Sequence, residues 1–365
     1  MPSSTHALPL PMKNKAHLPA ALALALAASS AAQAQSTVTI YGLVDAGVTW
    51  TNHLKSAGGG DLWALDTGSS QGNRFGFRGS EDLGGGVRAN FVLENGFSLD
   101  TGVLGQGGLL FGRQASVGLS SERLGALSLG RIYDPLGEVF PAYAIASNTP
   151  AGLLAWSLPT YAAGGAVLNN RVWGAGVNNA VRYVSPAWGG FSVRALYGFG
   201  ETTASTNNGS TQALSVTYAQ GGFQGSLAGY VSHDASATLG DIRILAAGAA
   251  YQFERLKLFG MVSQVSFDAG TQPRATTAEL GATYLVTPAL VLGAGLQGQR
   301  RNNGTHGAEQ LTLTADYLLS KRTDAYVALA HGRDRQFNAQ VVAALGGVSS
   351  ITSQTGARVG IRHRF

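Results

Sequence analysis

The chain ends in Ala357-Arg358-Val359-Gly360-Ile361-Arg362-His363-Arg364-Phe365. Apolar and basic side chains alternate along these residues, so Val359 and Ile361 fall on one face of an extended strand while Arg358 and Arg362 fall on the other. A strand with one face suited to hydrocarbon and the other to water is typical of a membrane β-barrel. The C-terminus therefore predicts a strand with lipid outside and an aqueous interior.

The same two-residue period recurs through most of the chain. From residue 37 onward, alternating segments of roughly ten residues are separated by turns that contain Gly, Asn, Asp or Pro. An even number of segments brings both chain ends to one rim, and about sixteen strands enclose water rather than a packed core. We therefore predict an all-β fold, a 16-stranded antiparallel transmembrane β-barrel. Its strands are expected near 37–50, 71–80, 86–97, 109–121, 125–133, 178–186, 190–200, 211–220, 222–233, 242–252, 255–268, 275–286, 289–300, 307–319, 322–334 and 354–365.

Composition excludes several other classes of protein. The chain has 365 residues, of which 45% are hydrophobic and 12% charged, with 51 glycines and no cysteine. The apolar content excludes disorder, and the lack of cysteine excludes disulfides, thiolate nucleophiles and Cys-ligated metals. The formal charge of +5, with arginines spread singly, is too weak to predict nucleic-acid binding.

The N-terminus predicts export. Lys13 and Lys15 precede an apolar run over 18–28, and Ala32-Gln33-Ala34 supplies small residues for cleavage. These are the three parts of a signal peptide, so we expect residues 1–34 to be removed and 35–365 to form the mature chain, with a charge of +3. The alternative is a membrane anchor, but the run is shorter than the ~18 apolar residues that a spanning helix needs.

Other interpretations share parts of this pattern. A secreted β-sandwich or β-helix would also alternate, but isolated arginines would be costly in its dry core. Aromatic residues recur near predicted strand ends, where a membrane interface favours them. The segment 293–298 fits a dinucleotide-binding pattern, yet it lies within a strand and opens no helix. We find no catalytic or metal-ligating constellation, and we predict no enzyme and no cofactor.

The connections predict two different rims. Segments 81–86 and 185–190 are short turns, whereas 53–70 and 202–210 are longer polar links, as in outer-membrane barrels. The connection from about 134 to 177 exceeds an ordinary hairpin and contains four prolines. It is either folded into the lumen, where it would narrow the pore, or a surface loop. Its apolar residues, which include Leu153, Leu154, Trp156 and Leu158, favour the first.

Seven motifs in order resemble the general trimeric porins of Gram-negative outer membranes, especially the β-proteobacterial group. The resemblance covers essentially the whole mature chain. The motifs are Val38-Thr39-Ile40-Tyr41-Gly42-Leu43-Val44-Asp45-Ala46-Gly47, the block 74–86, Leu110-Phe111-Gly112-Arg113-Gln114-Ala115, Leu129-Gly130-Arg131, the block 178–186, Leu318-Leu319-Ser320-Lys321-Arg322-Thr323-Asp324, and the ending 359–365.

The resemblance implies a homotrimer of sixteen-stranded barrels with the third extracellular loop folded inward as the constriction. Arginines on strands 2 and 4 of such porins face acidic groups on that loop, and they map onto Arg74 and Arg113. The nearest acidic residues of the loop are Asp134 and Glu138, whereas 140–144 carries no charge. Gly176 stands where a third arginine is expected, with Arg171 five residues upstream. The terminal Phe365 matches the aromatic residue that the barrel-assembly machinery reads.

Further charged residues share the lumen parity of the predicted strands. Arginines in a narrow aqueous lumen concentrate anions, because low-dielectric walls focus their field. Some of them could instead bind lipopolysaccharide phosphates at the rim or pair with Asp45, Glu94 or Glu138. The candidates for the pore lining are Asp45, Arg78, Arg88, Arg358 and Arg362.

We predict an outer-membrane channel for passive diffusion of small hydrophilic solutes and ions, with a weak anion preference. Its expected partners are outer-membrane lipid and lipopolysaccharide, the barrel-assembly machinery and the permeating ions. The alternatives are a ligand-specific channel for a sugar or anionic solute and an outer-membrane enzyme housed in a barrel rim. A saturable block of conductance would indicate the first alternative, and hydrolysis of ester or peptide substrates the second.

Overall fold

The computed structural model describes residues 37–152, 154, 161–163, 166–168, 176–203, 205–236, 240–268, 274–302, 307–335, 338–341 and 347–365. For 161–163, 166–168 and 235–236 it describes the backbone alone. The predicted signal peptide, Leu153, Trp156, Leu158 and Arg171 lie outside the described residues.

Sixteen antiparallel strands form a closed barrel, as predicted. Strands β2 and β3 are two parts of the second barrel strand, since both pair with β1 on either side of a break at 68–73. The strands are β1 (Thr37–Leu54), β2 (Gly60–Thr67), β3 (Arg74–Gly84), β4 (Val87–Gly96), β5 (Gln114–Ser121), β6 (Gly125–Tyr133), β9 (Gly176–Val184), β10 (Phe191–Gly198), β11 (Thr211–Gln220), β12 (Phe223–Ser236), β13 (Gly240–Gln252), β14 (Leu256–Phe267), β15 (Arg274–Thr287), β16 (Leu290–Arg301), β17 (Ala308–Leu318), β18 (Thr323–Asp334) and β19 (Ser353–Arg364).

The first and last strands close the barrel. Strand β1 pairs with β19 from Leu43 opposite Arg364 to Thr51 opposite Gly356. Beyond that ladder, the amide of Gly42 donates to the Phe365 carbonyl and the Phe365 amide donates to the Gly42 carbonyl, both at 3.1 Å. Because β1 and β19 pair with each other, neither of these two strands leaves an open edge toward lipid.

The prediction that 53–70 is a loop is wrong, because part of this segment is a strand. Residues 60–67 form β2, in which Trp63 and Leu65 point outward with 70% and 64% of their surface exposed while Asp66 is buried inside. The alternation of this short strand is interrupted on both sides by glycines and by a 3-10 turn at Lys55–Ala57. Strand β2 is held by its hydrogen-bonded pairing with β1, which the sequence of β2 alone does not indicate.

The two rims differ as predicted. Connections of two to six residues join the strand ends at one rim, whereas links such as 97–113 and 199–210 lie at the other. Short turns face the periplasm and long loops the exterior in outer-membrane barrels. Exposed aromatic side chains line the outer face near the short-turn rim, among them Trp188, Tyr251, Tyr284 and Tyr317. Tyr230 and Tyr326, by contrast, point inward and are buried.

Residues 134–152 of the connection between β6 and β9 fold into the barrel. The connection contains α1 (Pro135–Val139), a 3-10 turn (Phe140–Tyr143), α2 (Ile145–Asn148) and a small hairpin of β7 (Tyr161–Ala163) and β8 (Ala166–Leu168). We call residues 134–152 the inward loop. Its apolar side chains share one buried cluster with lumen-facing residues of β9 to β15. Among the described residues, no helix is long and apolar enough to cross a membrane.

Candidate functional site

The inward loop is seated on one wall by side chains that enter glycine positions. The Tyr143 ring lies over Gly248 and the Ile145 side chain over Gly295, where any added Cβ would collide. The Tyr143 hydroxyl is 2.5 Å from Ser226 Oγ. Burial raises the pKa of this hydroxyl, so it stays protonated. Two glycines of the discounted dinucleotide pattern, Gly293 under Thr149 and Gly295 under Ile145, therefore form part of the seat for the loop.

Polar bonds fasten the same loop. Glu279 Oε2 accepts the backbone N–H of Ile145 at 2.9 Å, which satisfies a donor at the start of α2. Lys257 Nζ donates to Asn148 Oδ1 at 2.5 Å, and the Asn148 amide donates back to the Ala144 carbonyl at 2.8 Å. Carboxylate and ammonium groups on the wall thus hold the loop in addition to its apolar contacts.

The far end of the loop packs against the segment between β2 and β3, which is folded inward and bonded to β19 through Ser70 and Arg362. Gly152 has a φ of +51° and packs so closely against the backbone of Ser69 and Ser70 that no side chain fits. These serines lie in the break between β2 and β3. The loop therefore follows the inner wall from β9 to this segment and occupies part of the lumen.

The two loop acids do not face Arg74 and Arg113, contrary to the prediction. Asp134 is buried and caps α1, since its side chain accepts the Gly137 N–H at 3.0 Å. Glu138 forms ion pairs with Arg182 on β9 and, at 3.5 Å, with Arg194 on β10. Both acids lie at the root of the loop, so their nearest partners come from the adjoining strands rather than from the wall across the lumen.

Arg74 and Arg113 lie together on the wall across from the loop seat. Arg113 Nε is 2.6 Å from Glu94 Oε1, and the Tyr41 hydroxyl donates to Glu94 Oε2 at 2.9 Å. Arg74 begins β3 and donates to the Gly72 carbonyl at 3.1 Å. Two cations and one carboxylate therefore share this part of the wall.

The orientation of Arg113 is decided by where its strand begins. In a regular strand it would share the outward parity of Val117 and Leu119, which are exposed to lipid. Strand β5 starts at Gln114, which pairs with the lumen-facing Glu94. Arg113 precedes the strand and is free of its alternation, so its guanidinium turns into the lumen.

Arg78 and Arg88 line the lumen toward the short-turn rim. Both side chains face inside and are nevertheless exposed, which shows that water fills the barrel at this level. The Arg78 guanidinium lies 5.0 Å from the centre of the Tyr41 ring, and Arg88 Nε donates to Ser80 Oγ at 3.0 Å. Both arginines thus lie on the lumen side of the wall.

Asp45 and Arg358 do not line the open pore, contrary to the prediction. Both face inward but are fully buried beneath the 68–73 segment and the tip of the inward loop. Arg358 pairs with Asp66 and lies 3.6 Å from Asp45, which accepts the Tyr326 hydroxyl at 2.5 Å. The pairing with Asp45 was the alternative left open by the sequence.

Arg362 belongs to the same wall and is largely buried. Its Nη2 is 2.9 Å from Asp324 and 3.4 Å from Asp316, and its Nη1 donates to Ser70 at 3.2 Å. Two carboxylates thus neutralise this arginine. It supports the wall and contributes little to the field in the pore.

Removing Arg358 is expected to destabilise the barrel strongly. Arg358→Met leaves the buried carboxylates of Asp45 and Asp66 without their cation, at a cost of about 3–5 kcal/mol. The temperature at which the folded band converts to the unfolded band on denaturing gels should fall clearly. Arg88→Met, which removes an exposed side chain bonded to Ser80, should leave it unchanged. Equal conversion temperatures for the two variants would contradict the assignment.

Sequence reasoning missed Arg182 and Arg194 as site residues. Both share the lumen parity of their strands with buried Ala180 and Leu196, and this two-residue period was the available signal. Gly176 carries no third cation, but the guanidinium of Arg131 lies against it and donates to its carbonyl at 3.3 Å. The cations of the lumen therefore include groups on β9 and β10 that the sequence analysis did not assign to the pore.

Neutralising Glu138 is expected to increase the preference for anions. Glu138→Gln removes a lumen carboxylate and leaves Arg182 and Arg194 without it, so the ratio of anion to cation permeability should rise roughly two- to four-fold at low salt. The zero-current potential across a salt gradient measures this ratio. Glu309→Gln, on the outer face of β17, should not change it. A shift toward cations in Glu138→Gln would refute the expectation.

The site as a whole is a partly open lumen lined by charged side chains. Among the described residues, no group of three or more His, Asp or Glu side chains could hold a metal. A closed barrel with water inside, a loop folded against its inner wall and cations on the lumen side defines a membrane channel of the outer-membrane type.

Comparison with known proteins agrees with this class. Residues 20–336 match the Gram-negative porin family, and the chain belongs to that family. Outer membrane porin protein 32 of Delftia acidovorans is 34% identical over 351 residues, which cover 90% of this chain and 94% of that protein. The solved anion-selective porin from Comamonas acidovorans is 30% identical, with a TM-score of 0.78 over 91% of this chain and 100% of that one. OmpT of Vibrio cholerae, solved in a trimer form, shares the fold at 15% identity, with a TM-score of 0.65 over 90% and 99% of the chains. The protein is thus a porin of the Gram-negative outer membrane.

Proposed function

We propose that the channel conducts small hydrophilic solutes and ions by passive diffusion and prefers anions. The observation that carries the preference is the pair Arg74 and Arg113 on the wall across from the loop seat, where Arg113 is paired to Glu94 and Arg74 donates to the Gly72 carbonyl. Arginines beside a narrow aqueous path raise the local concentration of anions. The likeness to a porin described as anion-selective supports the same sign.

The proposed constriction lies between the inward loop and this wall. Arg74 and Arg113 supply its positive side, and Arg78 and Arg88 extend the positive lining toward the periplasm. Asp134 holds the root of the loop, and Glu138 reduces the charge of Arg182 and Arg194. Selection among neutral solutes is then by size at the loop.

Planar-bilayer recording tests the proposal. Purified protein should insert in conducting steps, with a zero-current potential of anion-selective sign across a salt gradient. Cation selectivity would overturn the arginine assignment and leave the channel in place. The absence of conductance from folded, heat-modifiable protein would overturn the channel itself. Saturable block by a sugar or phosphate compound would replace free diffusion by a ligand-specific path.

Assembly and export are part of the proposal. We infer a homotrimer, supported by the trimer form of a relative of the same fold, and native mass spectrometry would measure it. We infer that residues 1–34 are a signal peptide, which predicts a mature N-terminus at Gln35 on intact-mass analysis. Phe365, outward-facing and 47% exposed, is available as the signal for the barrel-assembly machinery. The protein is proposed to catalyse no reaction.

A further inference from the structure

Four arginine side chains stand on the outer face of the barrel at the long-loop ends of β15, β16 and β18. Arg300 has the outward parity of Leu292 and Leu296, and Arg333 has that of Val327 and Leu329. Arg274 begins β15, and Arg335 follows β18 directly. All four are exposed. A cluster of cations on the face that contacts lipid requires an explanation.

Within the described part of the chain, these four arginines have no ion-pair partner. The inward-facing neighbour Arg301 is bonded to Asp334 at 2.9 Å, and the outward-facing Arg243 on β13 is bonded to Asp268 at 2.7 Å. One carboxylate, Glu309, lies opposite Arg333 in the β17–β18 register without pairing to it. The patch therefore keeps its positive charge, whereas the neighbouring arginines Arg301 and Arg243 are neutralised by carboxylates.

The register fixes the depth of the patch in the membrane. Leu292 pairs with Tyr284 of the aromatic belt at the periplasmic side, and Arg300 lies eight residues further along β16. Eight residues span roughly 27 Å of strand, or about 20 Å along the membrane normal at a tilt near 40°. The apolar band of such barrels is about 25 Å tall. The Arg300 backbone thus lies about 5 Å inside the outer edge of this band, and its long side chain can extend from there to the lipid headgroups of the outer leaflet.

An apolar groove continues from the arginines toward the middle of the membrane. Leu280, Leu296 and Leu311 lie in one row across β15–β17, and Gly298 leaves open space above them. A cavity of about 610 Å³ along this row adjoins one of about 660 Å³ at the arginines. A single surface therefore offers a slot for a hydrocarbon chain and, at its upper end, donors for an anion.

We propose that this surface, comprising Arg274, Arg300, Arg333, Arg335 and the leucine groove below them, binds a phosphorylated glycolipid of the outer leaflet. Guanidinium groups hold phosphate oxygens by paired hydrogen bonds, and acyl chains fill a groove of leucines and glycine. The depth of the patch requires an anion that is itself anchored in the leaflet, which favours a lipid phosphate. The proposal rests on the outer-membrane location and not on the conduction mechanism.

The test uses the full-length mature protein and lipid A that carries two phosphates. Native mass spectrometry in mild detergent should detect lipid A bound to the wild type. In Arg300→Gln/Arg333→Gln, the apparent affinity should fall about 10- to 30-fold, since each arginine near an anionic lipid surface contributes roughly a factor of five. Arg243→Gln serves as the matched control, because that arginine stands on the same rim with its own carboxylate, and it should bind like the wild type.

Each of the following outcomes would overturn the proposal. Equal retention of lipid A by the wild type and the double variant, or equal binding of lipid A without phosphates, would show that the arginines do not recognise phosphate. Loss of the native oligomer in the double variant without added lipid would assign the surface to a contact between subunits. Single-channel conductance of the same samples, expected to be unchanged, separates failure of this proposal from failure of the channel.

Discussion

Gly295→Leu is expected to release the inward loop and raise the single-channel conductance roughly two-fold. Ile145 occupies the space in which a side chain at residue 295 would lie. Strand β16 is bonded to β15 and β17 along its whole length, whereas α2 is a single short turn, so the helix must move rather than the strand. Overpacking of this kind costs about 1–3 kcal/mol, and the few contacts of α2 are too weak to keep it in place against that cost.

The matched control for this experiment lies on the same strand. Gly298 faces open space outside the barrel, so Gly298→Leu should conduct like the wild type. Heat modifiability on denaturing gels shows whether each variant is folded. Wild-type conductance from a folded Gly295→Leu barrel would mean that the loop does not limit the passage.

Arg113→Ser is expected to shift the channel strongly toward cations, because it removes a cation and exposes the carboxylate that it neutralised. Arg113 Nε lies 2.6 Å from Glu94, so the substitution leaves Glu94 bonded to Tyr41 alone. A unit charge acting on an ion about 5 Å away in water is worth about 0.8 kcal/mol, a factor of roughly four in local concentration. The ratio of anion to cation permeability should fall by at least that factor.

Glu94→Gln provides the opposite change at the same position. It leaves Arg113 charged without its carboxylate, so the permeability ratio should rise. Both zero-current potentials should be recorded below about 0.1 M salt, where the screening length exceeds roughly 10 Å. Shifts of the same sign in the two variants would contradict the electrostatic assignment, since a purely structural disturbance would not reverse its sign.

Most of the barrel could be predicted from the sequence, because strand alternation is a local property. A residue and its neighbour two positions away share a face whatever the rest of the chain does, so Arg74, Arg78 and Arg362 could be placed on the lumen side from their own segments. The prediction failed for β2, whose alternation covers only 60–67 between irregular residues and depends on its ladder with β1.

The charge pairing of the site could not be predicted in the same way. Asp134 and Glu138 are the nearest acidic residues that the loop offers in the sequence. In the structure, however, Glu138 lies at the root of the loop, against Arg182 and Arg194. Arg113 lies at a position where its strand has not begun, so parity gives the wrong face for it. The pairing of Glu138 and the orientation of Arg113 are both decided where the chain leaves regular structure.

The sequence by itself determined that this protein is a lipid-facing, water-enclosing barrel with an arginine-rich inner face. Only the tertiary structure decided which of those charges act on a permeating ion. Asp45 and Tyr326 are bonded although they are 281 residues apart, and Arg358 lies between them under a segment that shields all three from water. A charge acts on the pore only where water can reach it, and that access depends on how distant strands and the inward loop pack together.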